Sequence, residues 1–216
     1  MDRLMNIRGT GRLSLAPDTA SVELGIIRKD KDYALAVEAS DKLLSALSAA
    51  LLPLGFKRED IKTSSFNVNT EYDSVRDNGV FRNVFSGYRV DHRLRVEFPF
   101  DKDRLSGVLS AVTACAADPE INVSFTVKDR ESRRAELLKL AASEARRDAE
   151  TLAEASGVRL GRLVSVSCEA GGSDFYSPTR FGVNSRPMAK CESLSMDMAP
   201  EDISLSESAV FTWEIE

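Results

Sequence analysis

Apolar and polar residues alternate along several segments of the chain, and this pattern predicts β-strands. In residues 7–15 every odd position is glycine or an aliphatic residue, and every even position is polar. Residues 90–98 alternate in the same way, with arginines and acidic residues on one side. Because successive side chains of a strand point to opposite faces, each segment predicts a strand with one buried face. Further strands are predicted within residues 21–26, 66–72, 121–127, 163–169 and 210–215.

Two pairs of these strands are expected to form hairpins. The first two strands are separated by Ala16, Pro17 and Asp18, which are turn-forming residues. The strands at residues 66–72 and 90–98 are joined by residues 74–86, which contain the strong turn signal Asp77-Asn78-Gly79. We therefore expect a hairpin at each of these two places.

Apolar residues spaced three and four apart predict three helices. The candidate caps are Asp30 or Asp32 for the first helix, Asp101 for the second, and Asp129 or Ser132 for the third. The first two bury Val37, Leu44, Leu47 and Leu51, and Leu105, Val108, Leu109 and Val112. The third spans residues 131–156, and its inward stripe is mostly alanine: Ala135, Leu138, Ala142, Ala145, Ala149, Leu152 and Ser156. Small side chains would let a sheet approach the backbone of this helix closely.

The order of these elements predicts an α+β fold with mostly antiparallel sheets and helices packed on one face. We expect a single domain over residues 1–216, with two subregions at about 1–100 and 101–216. Residues 54–57 and 156–159 each end a helix with glycine, which is compatible with two related β-α-β halves. A glycine in the left-handed conformation is also a common way to end a helix. The similarity between the two segments is therefore explained equally well by related halves or by a shared type of helix end.

Charge and composition exclude several classes of protein. The chain has 216 residues, a formal net charge of −5 and 43% hydrophobic residues, so it can form a real core but lacks the basic excess of a nucleic-acid binder. No run of about 18 apolar residues predicts a membrane span. The N-terminal residues lack the apolar segment of a signal peptide, so we expect a cytoplasmic protein, or an exported one from which the signal has been removed.

No arrangement of residues predicts an enzyme, a cofactor site or a metal site. Gly9 and Gly11 lie within a strand pattern that no helix follows, so they predict a strand bulge or a close backbone contact rather than a nucleotide loop. His92 is the single histidine and is expected to be structural. Cys115, Cys168 and Cys191 lack metal-ligand spacing.

Two apolar sets on otherwise polar segments are candidates for protein contacts. Residues 74–86 carry Val80, Phe81, Val84 and Phe85, which either contact a partner or fold back on their own domain. Residues 171–200 are expected to be a long irregular loop, and they offer Phe175, Tyr176, Phe181 and Met188. An alternative function for this loop is binding of a small ligand or a soft metal by Cys191, Met188, Met196 and Met198.

The chain resembles the SIMPL-domain family over nearly its whole length. The resemblance rests on IRGTG at 7–11 leading to APDTA at 16–20, LG at 54–55 followed by EDIKTS at 59–64, GYRV at 87–90, and LAEASGV at 152–158 followed by LG at 160–161. It implies an α+β fold, closed homo-oligomers and no established enzymatic activity. Bacterial relatives are often exported and stress-related, and a eukaryotic relative is a kinase adaptor. We therefore expect a non-enzymatic self-associating module, whose partners are itself and an unidentified protein.

Overall fold

The computed structural model describes residues 3–77, 80–115, 119–168, 174–183 and 199–216. The chain divides into two compact units. Unit 1 consists of Met1–Asp18, Thr126–Pro178 and Pro200–Glu216, and unit 2 consists of Thr19–Phe125 and Thr179–Ala199. The elements are β1 Leu4–Leu15, β2 Thr19–Asp30, α1 Tyr33–Leu51, β3 Ile61–Asp77, β4 Val80–Pro99, α2 Lys102–Ala114, β5 Glu120–Thr126, α3 Arg130–Ala155, β6 Leu160–Cys168, β7 Tyr176–Val183 and β8 Ile203–Ile215. This arrangement confirms the predicted α+β class.

Unit 1 is a three-stranded antiparallel sheet, in the order β1-β8-β6, with α3 packed on it. Gly9 and Gly11 of β1 lie directly against the helix backbone. A Cβ atom added to Gly9 would lie 2.0 Å from the carbonyl oxygen of Ala141, and one added to Gly11 would lie 1.9 Å from that of Leu137. The two glycines therefore mark a close backbone contact, which was one of the two structures predicted for them.

The buried stripe of α3 differs in part from the predicted one. Ala145 and Ala149 are buried as predicted, but Leu152 is 48% exposed. The buried residues recur every four positions, at Leu137, Ala141, Ala145, Ala149 and Ala153. A four-residue row is inclined to the helix axis, and in α3 this row lies against β1, where Gly9 and Gly11 approach Ala141 and Leu137. The predicted stripe, with spacings of three and four, runs parallel to the helix axis instead. It therefore coincides with the buried row only at Ala145 and Ala149.

The predicted hairpin between β1 and β2 is wrong. β1 pairs with β8 in unit 1, and β2 pairs with β4 in unit 2. Asp18 lies in the short connection between β1 and β2. Its N–H donates to the carbonyl oxygen of Thr126 at 3.1 Å, and its carboxylate accepts from the N–H of Lys128 at 2.9 Å. These two bonds attach the end of the β1 segment to the segment that leads into α3.

Unit 2 is a five-stranded sheet, in the order β3-β4-β2-β5-β7, and its core lies under α1 and α2. The alternating residues of β2 and β4 supply one buried face, with Val22 opposite Val96 and Leu24 opposite Leu94. Leu47 and Leu51 of α1 and Val108 of α2 pack against them. Asp101 caps α2 as the sequence predicts. Asp32 rather than Asp30 caps α1, and Asp129 rather than Ser132 caps α3, so in each case one of the two predicted candidates is the cap.

The stretch 171–200, expected to be irregular, contains a strand. β7 is one of the two edge strands of the five-stranded sheet. Its sequence, YSPTRFGV, includes Pro178 and Gly182 and does not alternate, so it gives no strand signal. Proline is tolerated on an edge strand because its missing N–H need not face a neighbour. Residues 169–173 and 184–198 lie outside the described part of the chain.

His92 is a buried side chain of β4, 8% exposed. Its Nε2 and the hydroxyl of Thr63 share a hydrogen bond of 3.3 Å, and its ring meets Phe66 edge to face at 5.0 Å. Burial lowers the pKa of His92 below the ordinary value, and the carboxylate of Asp41 partly opposes this shift. The folded protein therefore holds this histidine neutral at pH values where the unfolded chain takes up a proton.

Lowering the pH below about 6.5, the ordinary pKa of histidine, should therefore destabilise the protein through His92. The unfolded chain binds more protons in this range, so the free energy of unfolding falls as the pH falls. The variant His92→Leu lacks this contribution. Urea titration measures the unfolding free energy of both proteins. We expect the value for the parent protein minus the value for His92→Leu to decrease as the pH is lowered from 7.5 to 5.5. A difference that is independent of pH would refute this role of His92.

Candidate interaction surface

The β3–β4 hairpin extends beyond the rest of its sheet. β2 pairs with β4 only from Tyr88 to Pro99, whereas β3 continues alongside β4 as far as the pair Asp77 and Val80. Residues 72–77 and 80–87 therefore form a two-stranded ribbon, called the arm below. The arm confirms the hairpin predicted for residues 74–86. The connecting residues 78 and 79 lie outside the described ones.

A β-bulge marks the base of the arm. Glu71 pairs with Gly87 and Tyr72 pairs with Phe85, so Ser86 is the extra residue. Gly87 has φ of 151°, and a Cβ atom there would lie 2.5 Å from the carbonyl oxygen of Asp30. Only glycine fits this position without strain. Bulges increase local twist, so this one sets the direction in which the arm leaves the sheet.

One face of the arm carries a row of aromatic rings. Tyr72 meets Phe85 at a centroid distance of 5.9 Å, Phe85 meets Tyr88 at 5.3 Å, and Tyr88 meets Tyr33 of α1 at 5.6 Å. All three contacts are edge to face. Phe81 lies further out, 69% exposed, with the guanidinium of Arg76 5.9 Å from its ring centre. We call Tyr33, Tyr72, Phe81, Phe85 and Tyr88 the aromatic face.

The opposite face of the arm is also apolar in part. Val75 is 48% exposed and Val84 is 51% exposed. They alternate with Tyr72 and Phe85 along the strands and so point the other way. The arm therefore presents apolar side chains to solvent on both sides. An isolated two-stranded ribbon is marginally stable in water, and exposed apolar patches of this kind commonly mark protein contacts.

Phe175, Tyr176 and Phe181, also predicted as contact residues, are less exposed than the aromatic residues of the arm. Phe175 packs against the core of unit 1, and Phe181 packs against the core of unit 2. Tyr176 accepts a hydrogen bond of 3.3 Å from the guanidinium of Arg130, which also lies 5.0 Å from its ring centre. Val80 belongs to β4, but its side chain is not among those described, and Met188 lies outside the described residues. Phe81, Val84 and Phe85 are thus the predicted residues that the structure brings together.

Sequence reasoning missed Tyr33, Tyr88 and Arg76 as members of this surface. The sequence pattern places Tyr72 on a strand but not on a contact surface. The alternation along β3 and β4 does place Tyr72 and Tyr88 on the helix side of the sheet. Their proximity depends on the register of the hairpin, including the bulge, which the sequence pattern does not specify.

The face of the five-stranded sheet that is turned away from α1 and α2 carries paired charges. Arg93 binds Asp91 at 3.3 Å and Glu23 at 3.5 Å, Arg95 binds Glu23 at 3.4 Å, and Lys29 binds Glu71 at 2.5 Å. The hydrogen bond that Arg93 donates to Asp91, together with the charge of that carboxylate, raises the pKa of Arg93 above its ordinary value. These guanidinium groups are already matched by carboxylates, so this face is not an unpaired basic patch for phosphate groups.

A second exposed apolar strand occurs in unit 1. β6 is an edge strand, and Leu163, Val164 and Val166 are each about half exposed. Edge strands of this kind can add a strand from another chain. β6 carries no aromatic side chain, whereas the arm offers several. Aromatic residues are enriched at protein interfaces, which favours the arm as the principal contact.

No metal centre is visible in the part of the chain that the structure describes. Those residues contain no group of three or more His, Cys, Asp or Glu side chains able to hold a metal ion. Cys191, Met188, Met196 and Met198, the candidates for soft-metal binding, lie outside them. Among the described helices, none is both long and apolar enough to cross a membrane.

Comparison with known proteins identifies the family. The model of the SIMPL family, described as a protein of unknown function (DUF541), matches residues 5–213, almost the whole chain. The chain belongs to the SIMPL family. This confirms the resemblance seen in the sequence motifs, several of which the structure explains: Gly9, Gly11 and Gly87 each lie where a side chain would collide with backbone.

Two curated relatives are described as "26 kDa periplasmic immunogenic protein". The one from Brucella melitensis biotype 1 is 25% identical over 162 residues, and the one from Brucella abortus (strain S19) is 24% identical over the same length. In both, the match covers 74% of this chain and 64% of the relative, so the chain spans less than two thirds of their length. Their names give a periplasmic location for those proteins, and the expected cytoplasmic location of this chain finds no support in them.

Proposed function

We propose that this SIMPL-family protein is a non-enzymatic, self-associating module whose assembly buries the arm. The observation that carries the proposal is the arm itself, a two-stranded ribbon with Phe81, Phe85 and Tyr72 exposed on one face and Val75 and Val84 on the other. Outside the ring contacts that Phe85 makes with Tyr72 and Tyr88, the apolar side chains of the arm face solvent, so a second surface that covers them would bury apolar area.

The size of the expected gain is appreciable. Complete burial of a large apolar side chain contributes about 1.5–3 kcal/mol. Phe81, 69% exposed, and Phe85, 45% exposed, can each gain a substantial part of this amount. In a closed homo-oligomer every copy contributes the same surface, so the gain is repeated at each contact. The aromatic face thus favours association of a few copies over a solitary chain.

The absence of enzymatic activity belongs to the same proposal. The arm brings together aromatic and aliphatic side chains, and Arg76 contacts a ring rather than a carboxylate. Catalysis by acid, base or nucleophile requires ionisable groups that converge on one point. The arm offers no such convergence among the described side chains. A stress-related role and a second protein partner remain predictions from the family resemblance, as does ligand or soft-metal binding by residues 171–200.

Hydrogen exchange tests whether the arm is covered. The hydrogen bonds of an isolated ribbon open readily, so its amide hydrogens exchange quickly, whereas amide hydrogens in a buried contact exchange slowly. At about 50 μM protein, we expect residues 72–77 and 80–87 to exchange as slowly as the central strand β2, which serves as the internal control. Fast exchange of the arm, together with protection of β2, would contradict the proposal.

A further inference from the structure

A cavity of about 270 Å³ lies between α1 and the beginning of β3 in unit 2. It is open to solvent on one side, since Leu52, Arg58 and Thr63 in its wall are exposed. Its apolar lining comes from Leu44, Ala49, Leu52, Ile61 and Leu94, and its polar lining comes from Ser45, Ser48, Arg58 and Thr63. The lining is amphipathic, and none of the residues that form it belongs to the arm.

The cavity exists because α1 packs over β2 and β4 rather than over β3. The helix buries Ala36, Ser40, Leu47 and Leu51. The flank turned towards β3 carries the short side chains Ser45, Ser48 and Ala49, which leave the adjoining space unfilled. Small-ligand sites in proteins have this character, with a mostly apolar wall and a few polar groups.

The polar groups of the wall can form further hydrogen bonds. Within the described part of the chain, the hydroxyls of Ser45 and Ser48 and the guanidinium of Arg58 have no side-chain or backbone partner. The hydroxyl of Thr63 shares one hydrogen bond with His92, at 3.3 Å, and can take part in another. Arg58 is the one charged residue in the lining. Asp60, two residues later, is already bonded to the N–H of Lys57 at 2.9 Å.

We propose that this cavity binds a small amphipathic monocarboxylate. The apolar body of the ligand would lie on Leu44, Ile61 and Leu94, and its carboxylate would face Arg58 and the serine hydroxyls. A guanidinium is the side chain best suited to hold a carboxylate, because its N–H groups match the two oxygens. The volume corresponds to roughly nine water molecules at about 30 Å³ each, which is enough room for a ligand of about ten non-hydrogen atoms.

Titration calorimetry with octanoate, which has this size, tests the proposal. We expect binding with a Kd on the order of 0.1–1 mM. Octylammonium, with the same chain and the opposite charge, should not bind. Arg58→Gln should weaken octanoate binding about tenfold, because it removes a charge-assisted hydrogen bond. Arg147→Gln, which removes the same charge from the exposed face of α3, should leave binding unchanged.

A second variant tests the location of the ligand. Ser48→Phe should fill the cavity and abolish binding, while circular dichroism confirms that the variant is folded. Absence of heat at 5 mM octanoate, or equal binding by the parent protein and both cavity variants, would overturn the proposal. Loss of binding in Ser48→Phe with full binding in Arg58→Gln would overturn the carboxylate assignment, since it would indicate a site for neutral apolar molecules.

Discussion

Replacing Gly11 by alanine should lower the midpoint of thermal unfolding of unit 1 by about 2–12 °C. The added Cβ atom would lie 1.9 Å from the carbonyl oxygen of Leu137, which belongs to the helix backbone and cannot rotate away. α3 must then shift away from β1 and loosen the packing of Leu137, Ala141 and Ala145. Overpacking of this kind costs about 1–3 kcal/mol or more, and each kcal/mol lowers the midpoint by about 2–4 °C in a chain of this size.

The matched control is Gly25→Ala in β2. The nearest atom to a Cβ atom at Gly25 is 3.5 Å away, in the side chain of Glu120, which is an ordinary contact. Gly25 is buried, but the added methyl group would meet its neighbours at ordinary contact distance, so this variant should unfold within about 2 °C of the parent protein. Trp213 is the single tryptophan and is buried in unit 1 beside Phe211, so its fluorescence reports unfolding of that unit. Equal midpoints for Gly11→Ala and Gly25→Ala would contradict the close contact between β1 and α3.

Much of the fold could be predicted from local sequence patterns. Alternation identified β1 and β4, because each has one face in a core and one in solvent. It also identified β3, although the described side chains of that strand are mostly exposed. Aspartates marked the helix starts, and the expected glycine helix ends are present, with φ of 84° at Gly55 and 69° at Gly157. Each of these features depends on residues close together in the chain, which is why the pattern reports it.

The pairing of strands distant in sequence could not be predicted in the same way. β1 pairs with β8, about two hundred residues away, and nothing in residues 7–18 distinguishes that partner from the nearby β2. The turn chemistry of Pro17 and Asp18 is real, but its hydrogen bonds connect to Thr126 and Lys128. Local turn residues therefore indicate that the chain bends, and not which strand it meets next.

The candidate surface was predictable in part. Phe81, Val84 and Phe85 stand out in the sequence because they are apolar residues in a polar segment beside a strong turn. Tyr33 could not be found in this way, because it is the first residue of α1 and joins the surface through its contact with Tyr88. Likewise, the cavity beside α1 depends on which strands the helix covers, and the sequence gives no direct sign of that.

The variant carrying both Phe81→Ser and Phe85→Ser should lose the self-association that we propose, while remaining folded. Phe81 is exposed and touches little besides Arg76, and Phe85 joins Tyr72 to Tyr88 in the aromatic face. Removal of two such anchors from every copy should weaken each contact by about 2–4 kcal/mol, or roughly thirty- to a thousandfold in affinity. Phe81→Ser alone should have a smaller effect in the same direction, because it leaves the ring of Phe85 in place between Tyr72 and Tyr88.

The control removes similar apolar groups from another surface. Leu140 and Leu152 of α3 are 40% and 48% exposed, and the double variant Leu140→Ser with Leu152→Ser should assemble like the parent protein. Far-ultraviolet circular dichroism should show that both double variants keep the secondary structure of the parent. A change in assembly size limited to the arm variant would then come from removal of the apolar side chains of the arm rather than from unfolding.

Light scattering of these proteins after size separation, at micromolar concentration, measures the central claim most directly. The single chain has a mass of 23.7 kDa. We predict that the parent protein and the α3 control have the same integral multiple of this mass, and that the Phe81→Ser, Phe85→Ser variant has a smaller one. A parent protein of single-chain mass would contradict self-association, and an arm variant with the full parent mass would contradict the role of the arm.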